Sequence, residues 1–193
     1  MLKKNKALSV IAVLGASLAL SACSGAGMEG MDMGQDTSSS PAATVFNDAD
    51  VSFATQMAVH HSQAIDMAQT VLDKSDIDPR VTELAQKIKD AQQPEIDQLN
   101  SWLEEWGSGD MVGMDMGGGT MSQSDMDALA AATGVEASKL FLEQMTVHHQ
   151  GAIEMAQIEV DSGENPAARA LAQKIIDDQT AEIEEIKAIL ATL

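Results

Sequence analysis

All four histidines of the chain fall in two adjacent pairs, His60-His61 and His148-His149, each with a methionine three residues before its first histidine and another six after its second. On a helix the steps from Met57 to His60 and His61 are i,i+3 and i,i+4, so thioether and imidazole reach one ion from a single face. Met145 repeats the arrangement toward His148 and His149, and Met67 and Met155 complete the two constellations. Thioethers are soft, adaptable ligands that do not protonate, a chemistry suited to monovalent copper. With 1 Cys in the chain, a multi-thiolate zinc or iron–sulfur site is excluded, and any metal must be held by His, Met or carboxylate. Both histidines of each pair fall within the buried arc of a helix, so spacing alone does not choose between them.

The elements that must position these side chains come from a duplication. Phe53 to Gln69 aligns without a gap on Phe141 to Gln157, and Leu84-Ala-Gln-Lys-Ile88 recurs as Leu171-Ala-Gln-Lys-Ile175. Between the two blocks of each copy stands Asp78-Pro79 or Asn165-Pro166, a helix start in which the side chain caps free N–H groups and Pro takes the first helical position. Each copy is therefore a helical hairpin, and two hairpins give an all-α four-helix bundle. Glu95 sits in the middle of the apolar stripe of the second helix, with Gln92 beside it, and Gln179 and Glu182 repeat this in the fourth. A carboxylate in that setting needs a partner. Folding each hairpin about its turn sets Gln92 level with His61 and Glu95 level with Met57, with a similar register in the second copy. From there these side chains can take the free ring N–H of a ligating histidine and fix its tautomer. Pro94 is expected to kink the second helix. A short helix from about Asp125 to Ala132, ended by Gly134, leads into the third long one.

The segments before the hairpins are also duplicated. Met28-Glu-Gly-Met31-Asp-Met33-Gly34 reappears as Met111-Val-Gly-Met114-Asp-Met116-Gly117, and Met121 and Met126 extend the second copy. These Gly- and Asp-rich stretches have no helical period with which to bury an apolar face, so their methionines read as auxiliary ligands that capture copper. Upstream, Lys3, Lys4 and Lys6 precede an apolar run from Ala7 to Leu20 and the tetrapeptide Leu20-Ser21-Ala22-Cys23. That is the layout of a bacterial lipoprotein signal, with Cys23 as the lipidated residue. The expected organisation is a signal peptide over 1–22, a flexible Met/Gly/Ser-rich tether over 23–46, and the bundle over 47–193. Within the bundle, hairpin 1 runs over about 48–106, the linker over about 107–124 and hairpin 2 over about 125–192. The protein is then extracytoplasmic, at a bacterial cell surface or in the periplasm, held to the membrane by lipid only. A net charge of -19 repels phosphate backbones and anionic headgroups, which excludes charge-driven binding to nucleic acid or to a membrane surface.

Phe53-xxx-Met57-xx-His60-His61-xxx-Ile65-x-Met67-Ala68 and its copy from Phe141 to Ala156 resemble the motif of domain-of-unknown-function family 305. That resemblance implies a ferritin-like helical bundle with copper-binding secreted members. It implicates Met57, His60, His61, Met67, Met145, His148, His149 and Met155 as metal-site residues. The expected function is that of an extracytoplasmic copper-binding lipoprotein. Met/His sites would capture, store or deliver copper, Cu(I) in preference and Cu(II) as well, in resistance or homeostasis, with unnamed donor or acceptor proteins. No catalytic constellation is evident, so no enzymatic activity is expected. Two rival readings are a ferritin-like metalloenzyme holding Fe, Mn or Zn with His and Glu, and a helical interaction module without metal. Against the first, Met57 and Met145 occupy the position three before a histidine where a Glu would be expected.

Overall fold

A computed structural model describes residues 45–111 and 119–193. The leader with Cys23, the tether methionines Met28, Met31 and Met33, and Met114 and Met116 of the linker lie outside the described residues. The chain forms α1 (Asp48–Leu72), α2 (Pro79–Glu105), a 3-10 turn at Gly109–Met111, α3 (Gln123–Ala131), α4 (Gly134–Ser162) and α5 (Pro166–Leu190). No strand occurs among the described residues. The four long helices make a bundle of two hairpins, α1 with α2 and α4 with α5. α1 and α4 pack against each other as its inner pair, while the backbones of α2 and α5 flank them and keep apart from each other.

Local chemistry sets the helix starts. Asn47 accepts the N–H groups of Ala49 and Asp50, and the Asp50 carboxylate returns a bond to the Asn47 N–H, closing a capping box. Asp78 caps α2 at the Arg80 N–H, Asn165 caps α5 at Ala167 and Ala168, and Pro79 and Pro166 follow them as first residues. The same caps join the hairpins. Asp50 also accepts the N–H groups of Glu164 (3.1 Å) and Asn165 (2.8 Å), and Asn165 Nδ2 donates to the Val45 carbonyl (3.1 Å). At the corresponding place in the other copy, Ser138 Oγ accepts the Asp78 N–H at 3.2 Å. Each helical turn is thus tied to the start of the opposite hairpin.

Apolar side chains gather in two clusters. One holds Met67, Val71, Leu84, Ile88, Phe141 and Met145; the other holds Phe53, Met57, Leu99, Trp102, Leu103 and Ile175. Ala64 and Met145 share the first cluster, and Met57 and Ala152 share the second, so α1 and α4 run antiparallel. Full burial of a side chain the size of Phe141 stabilises by about 1.5–3 kcal/mol, so the clusters contribute strongly to holding the bundle together.

α2 runs through Pro94, which stands on its exposed face, as one helix. One expectation is corrected. α3 begins at Gln123, since Ser122 and Asp125 form a capping box there. Gly134 opens α4 instead of ending α3, and it does so at φ +57, in the left-handed region where glycine is at ease.

Candidate metal centre

On α1 the histidines stand between Met57, in one apolar cluster, and Ala64, in the other; on α4 they stand between Met145 and Ala152 with the clusters exchanged. Antiparallel packing therefore brings the two pairs to one level of the bundle. His60 and His148 lie face to face, ring centroids 3.6 Å apart and tilted by 36°. His61 and His149 sit 6.4 and 6.5 Å from their neighbours in the pairs. All four side chains are fully buried.

His61 Nε2 donates to Glu95 Oε2 at 2.9 Å, and His149 Nε2 donates to Glu182 Oε2 at 2.9 Å. Burial drives the His61 pKa down despite the carboxylate beside it, while Glu95 stays below the usual carboxylate range because bonds from His61 and Lys174 outweigh its desolvation. The pair is therefore a neutral imidazole and an ionised carboxylate, which places the proton on Nε2 and the lone pair on Nδ1. That Nδ1 has no partner, and neither does Nδ1 of His149 or any ring nitrogen of His60 and His148. Burial and the neighbouring His61, opposed by the Gly119 backbone, lower the His60 pKa to about 3, and burial with the nearby His60 imidazole lowers that of His148 well below its ordinary value. These imidazoles are neutral at physiological pH and need shed no proton to bind a cation. Each buried nitrogen without a partner costs roughly 1–3 kcal/mol, so six of them at one level is a large concentration of unmet bonding capacity.

The motif methionines are divided between the two clusters in a way that single-hairpin reasoning did not anticipate. Met67 and Met145 share one cluster, and Met57 packs in the other with Met155 against its edge. Thioethers from both copies thus flank the imidazole layer on either side. Met57, Met67 and Met145 are fully buried, whereas Met155 is half-buried and lines a surface cavity with Phe53 and Glu159. Met121 and Met126 are half-buried against the first cluster, and Met111 ends the 3-10 turn. Among the described residues, no three His, Cys, Asp or Glu side chains converge as a cage for an ion, so coordination here would have to draw on thioethers.

The expected register is off by one turn. Glu95 and Glu182, not Gln92 and Gln179, stand level with the histidines, because each hairpin folds about the capping residue Asp78 or Asn165 and not about the middle of its turn. Gln92 and Gln179 are buried with unpartnered amide atoms and do not reach a ring nitrogen.

Sequence reasoning missed what covers His60. A Cβ on Gly119 or on Gly151 would lie 3.4 Å from His60 Nε2, and 3.0–3.1 Å from the Cα of the other glycine. Backbone passes directly over the ring there. Gln63 fixes the passing segment, accepting the Met121 N–H (2.6 Å) and donating to its carbonyl (2.9 Å). Gly151 occupies, in the second copy, the place of Gln63 in the first, and that substitution was the available signal.

None of the functionally curated proteins matches the chain. Among solved structures it is similar to a Streptomyces coelicolor DUF305 protein inferred to be secreted, at 30% identity over 75% of this chain and 91% of that one (TM-score 0.70). A DUF305 fragment from Deinococcus radiodurans matches at 29% identity over 76% of this chain and 98% of that one (TM-score 0.70). CopM in its Cu(I)-bound form matches at 33% identity over 74% of this chain and 96% of that one (TM-score 0.62), and CopM has also been solved with Cu(II) and with Ag. The family model for the domain of unknown function DUF305 covers residues 50–190, and the chain belongs to that family.

Proposed function

We propose that this protein captures, stores or delivers copper outside the cytoplasm, Cu(I) in preference to Cu(II), in copper resistance or homeostasis. The observation that carries the reading is the layer of six unpartnered ring nitrogens between thioethers from both copies. Cu(I) accepts low coordination numbers and favours imidazole and thioether, the two donor types gathered there. Met57, His60, His61, Met67, Met145, His148, His149 and Met155 are its ligand set, with Glu95 and Glu182 orienting His61 and His149. CopM, which shares the fold, has been solved with copper and silver, and silver is a further soft monovalent ion. Methionines of the two Met-Asp-Met stretches are auxiliary ligands, and the Cys23 lipid is the anchor. No catalytic turnover is assigned; Glu95 and Glu182 each meet a histidine through one carboxylate oxygen.

The test is Met57→Leu with Met145→Leu. Leucine nearly matches methionine in volume, so the fold should persist. Competition against a chromophoric Cu(I) chelator should show affinity at least tenfold weaker in the double variant. Unchanged affinity would remove these thioethers from the site.

A further inference from the structure

On the far side of Glu95 and Glu182 from the histidines, the gap between α2 and α5 is a cavity of about 230 Å³. Its lining repeats across the duplication, Gln92 with Gln179 and Glu95 with Glu182; Lys87 also lines it, and the duplicate of that lysine, Lys174, reaches Glu95 from outside the lining. Both glutamines are 3% exposed, yet Gln92 Oε1, Gln92 Nε2 and Gln179 Oε1 have no hydrogen-bond partner. Two unmet amide acceptors in a buried position call for a donor or a cation.

Each carboxylate uses only one oxygen on its histidine. Glu95 Oε1 instead faces Lys174 Nζ at 3.0 Å, and Glu182 Oε1 faces Lys87 Nζ at 3.8 Å. Neither lysine depends on that contact. Lys174 is also held by Asp178 at 2.5 Å and Lys87 by Glu185 at 2.8 Å, both on the surface. The ammonium groups therefore stand where positive charge is accommodated, and each can withdraw to a surface carboxylate without losing its ion pair.

We propose that this cavity is a second cation site, distinct from the histidine layer, which takes an oxygen-seeking divalent ion such as Mn(II) or Ca(II). Its donors are Gln92 Oε1, Gln179 Oε1, Glu95 Oε1 and Glu182 Oε1. An all-oxygen set of carboxylates and amide carbonyls selects hard ions and discriminates against Cu(I). Both lysines compete with the ion for the carboxylates, which sets its affinity.

Mn(II) binding to the full chain, followed by the EPR signal of the free ion in the absence of copper, tests this. One site per chain should stand out above weak binding to the acidic surface. Gln92→Leu with Gln179→Leu should weaken that site at least tenfold, and Lys87→Met with Lys174→Met should tighten it at least tenfold, thermal unfolding confirming the fold of each. Mn(II) affinity should be unchanged in the Met57→Leu, Met145→Leu variant, so failure of the copper reading and failure of this one are separable. The proposal is overturned if no site exceeds surface binding in either the unmodified chain or the lysine variant, or if the glutamine variant binds Mn(II) as the unmodified chain does.

Discussion

Glu159 shows how one side chain can set a pH window. It is fully buried beside Asp50; burial first, and then the hydrogen bond to Asp50, raise its pKa from 4.5 to about 8. Asp50 moves the other way: although burial opposes it, N–H bonds from Asn47, Asn165 and Glu164 keep its pKa low. Glu159 therefore holds the proton and donates it to ionised Asp50. Between pH 4.5 and 8 the unfolded chain ionises at this position while the folded one does not, so its contribution is complete below 4.5 and declines until pH passes about 8. The contribution of Asp50 has the opposite sign, being present above its ordinary 3.8 and lost as pH falls through its lower folded value. Glu159→Gln keeps a donor toward Asp50 and cannot ionise. Its unfolding free energy, from urea titrations across pH 5–8.5, should lack most of the decline and exceed that of the unmodified chain by about 2–4 kcal/mol at the alkaline end. Equal slopes in the two proteins would assign the proton elsewhere. Gly163 supports the same pair: a Cβ there would lie 2.2 Å from Glu159 Oε1, so glycine is required for space at an ordinary φ of -68.

At the scale of elements, the close passage of α4 beneath the backbone at Gly119 invites a direct perturbation. Gly151→Ala improves helix propensity by roughly 1 kcal/mol, yet its Cβ would stand 3.1 Å from Gly119 Cα and 3.2 Å from the Gly119 carbonyl oxygen. Global stability should change little, while hydrogen exchange at the Met121 N–H, which Gln63 holds, should speed up several-fold. Unaltered exchange would mean that this segment is fixed elsewhere. Much of this level was legible in the residues. The duplication gave the two hairpins, and Asp78-Pro79 and Asn165-Pro166 marked the starts of α2 and α5 because capping is a local property. Long-range register was not legible, since an apolar stripe is compatible with neighbours one turn apart. Glu95 was correctly singled out as needing a partner, but its partner is His61, which the wrong fold point had set opposite Gln92.

For the whole molecule, the arrangement is two copies of a helical hairpin whose histidines meet only when α1 and α4 pack. Within one copy the constellation is two imidazoles and two thioethers on a helix; assembly of both copies creates the layer. Sequence alone named the residues of that layer, because all four histidines and their methionines share one spacing, but not the crossing that mixes Met57 with Met155 and Met67 with Met145. Asp50 and Glu159 went unnoticed because their duplicates, Ser138 and Val71, carry no charge. The placement of the molecule is a separate matter. No helix among the described residues is long and apolar enough to cross a membrane. If Cys23 carries the anchor, Cys23→Ser should move the protein from the membrane fraction to the soluble extracytoplasmic fraction, and retention in the membrane fraction would count against lipidation.

On the proposed reading, His60 and His148, neutral in the interior, bind a soft ion. Replacing both with Leu relieves four buried ring nitrogens that lack a well-formed partner. The metal-free double variant should therefore unfold at the same temperature as the unmodified chain or higher, while Cu(I) affinity, measured by chelator competition under reducing conditions, falls by two orders of magnitude or more. A folded double variant that binds Cu(I) as tightly as the unmodified protein would contradict the claim.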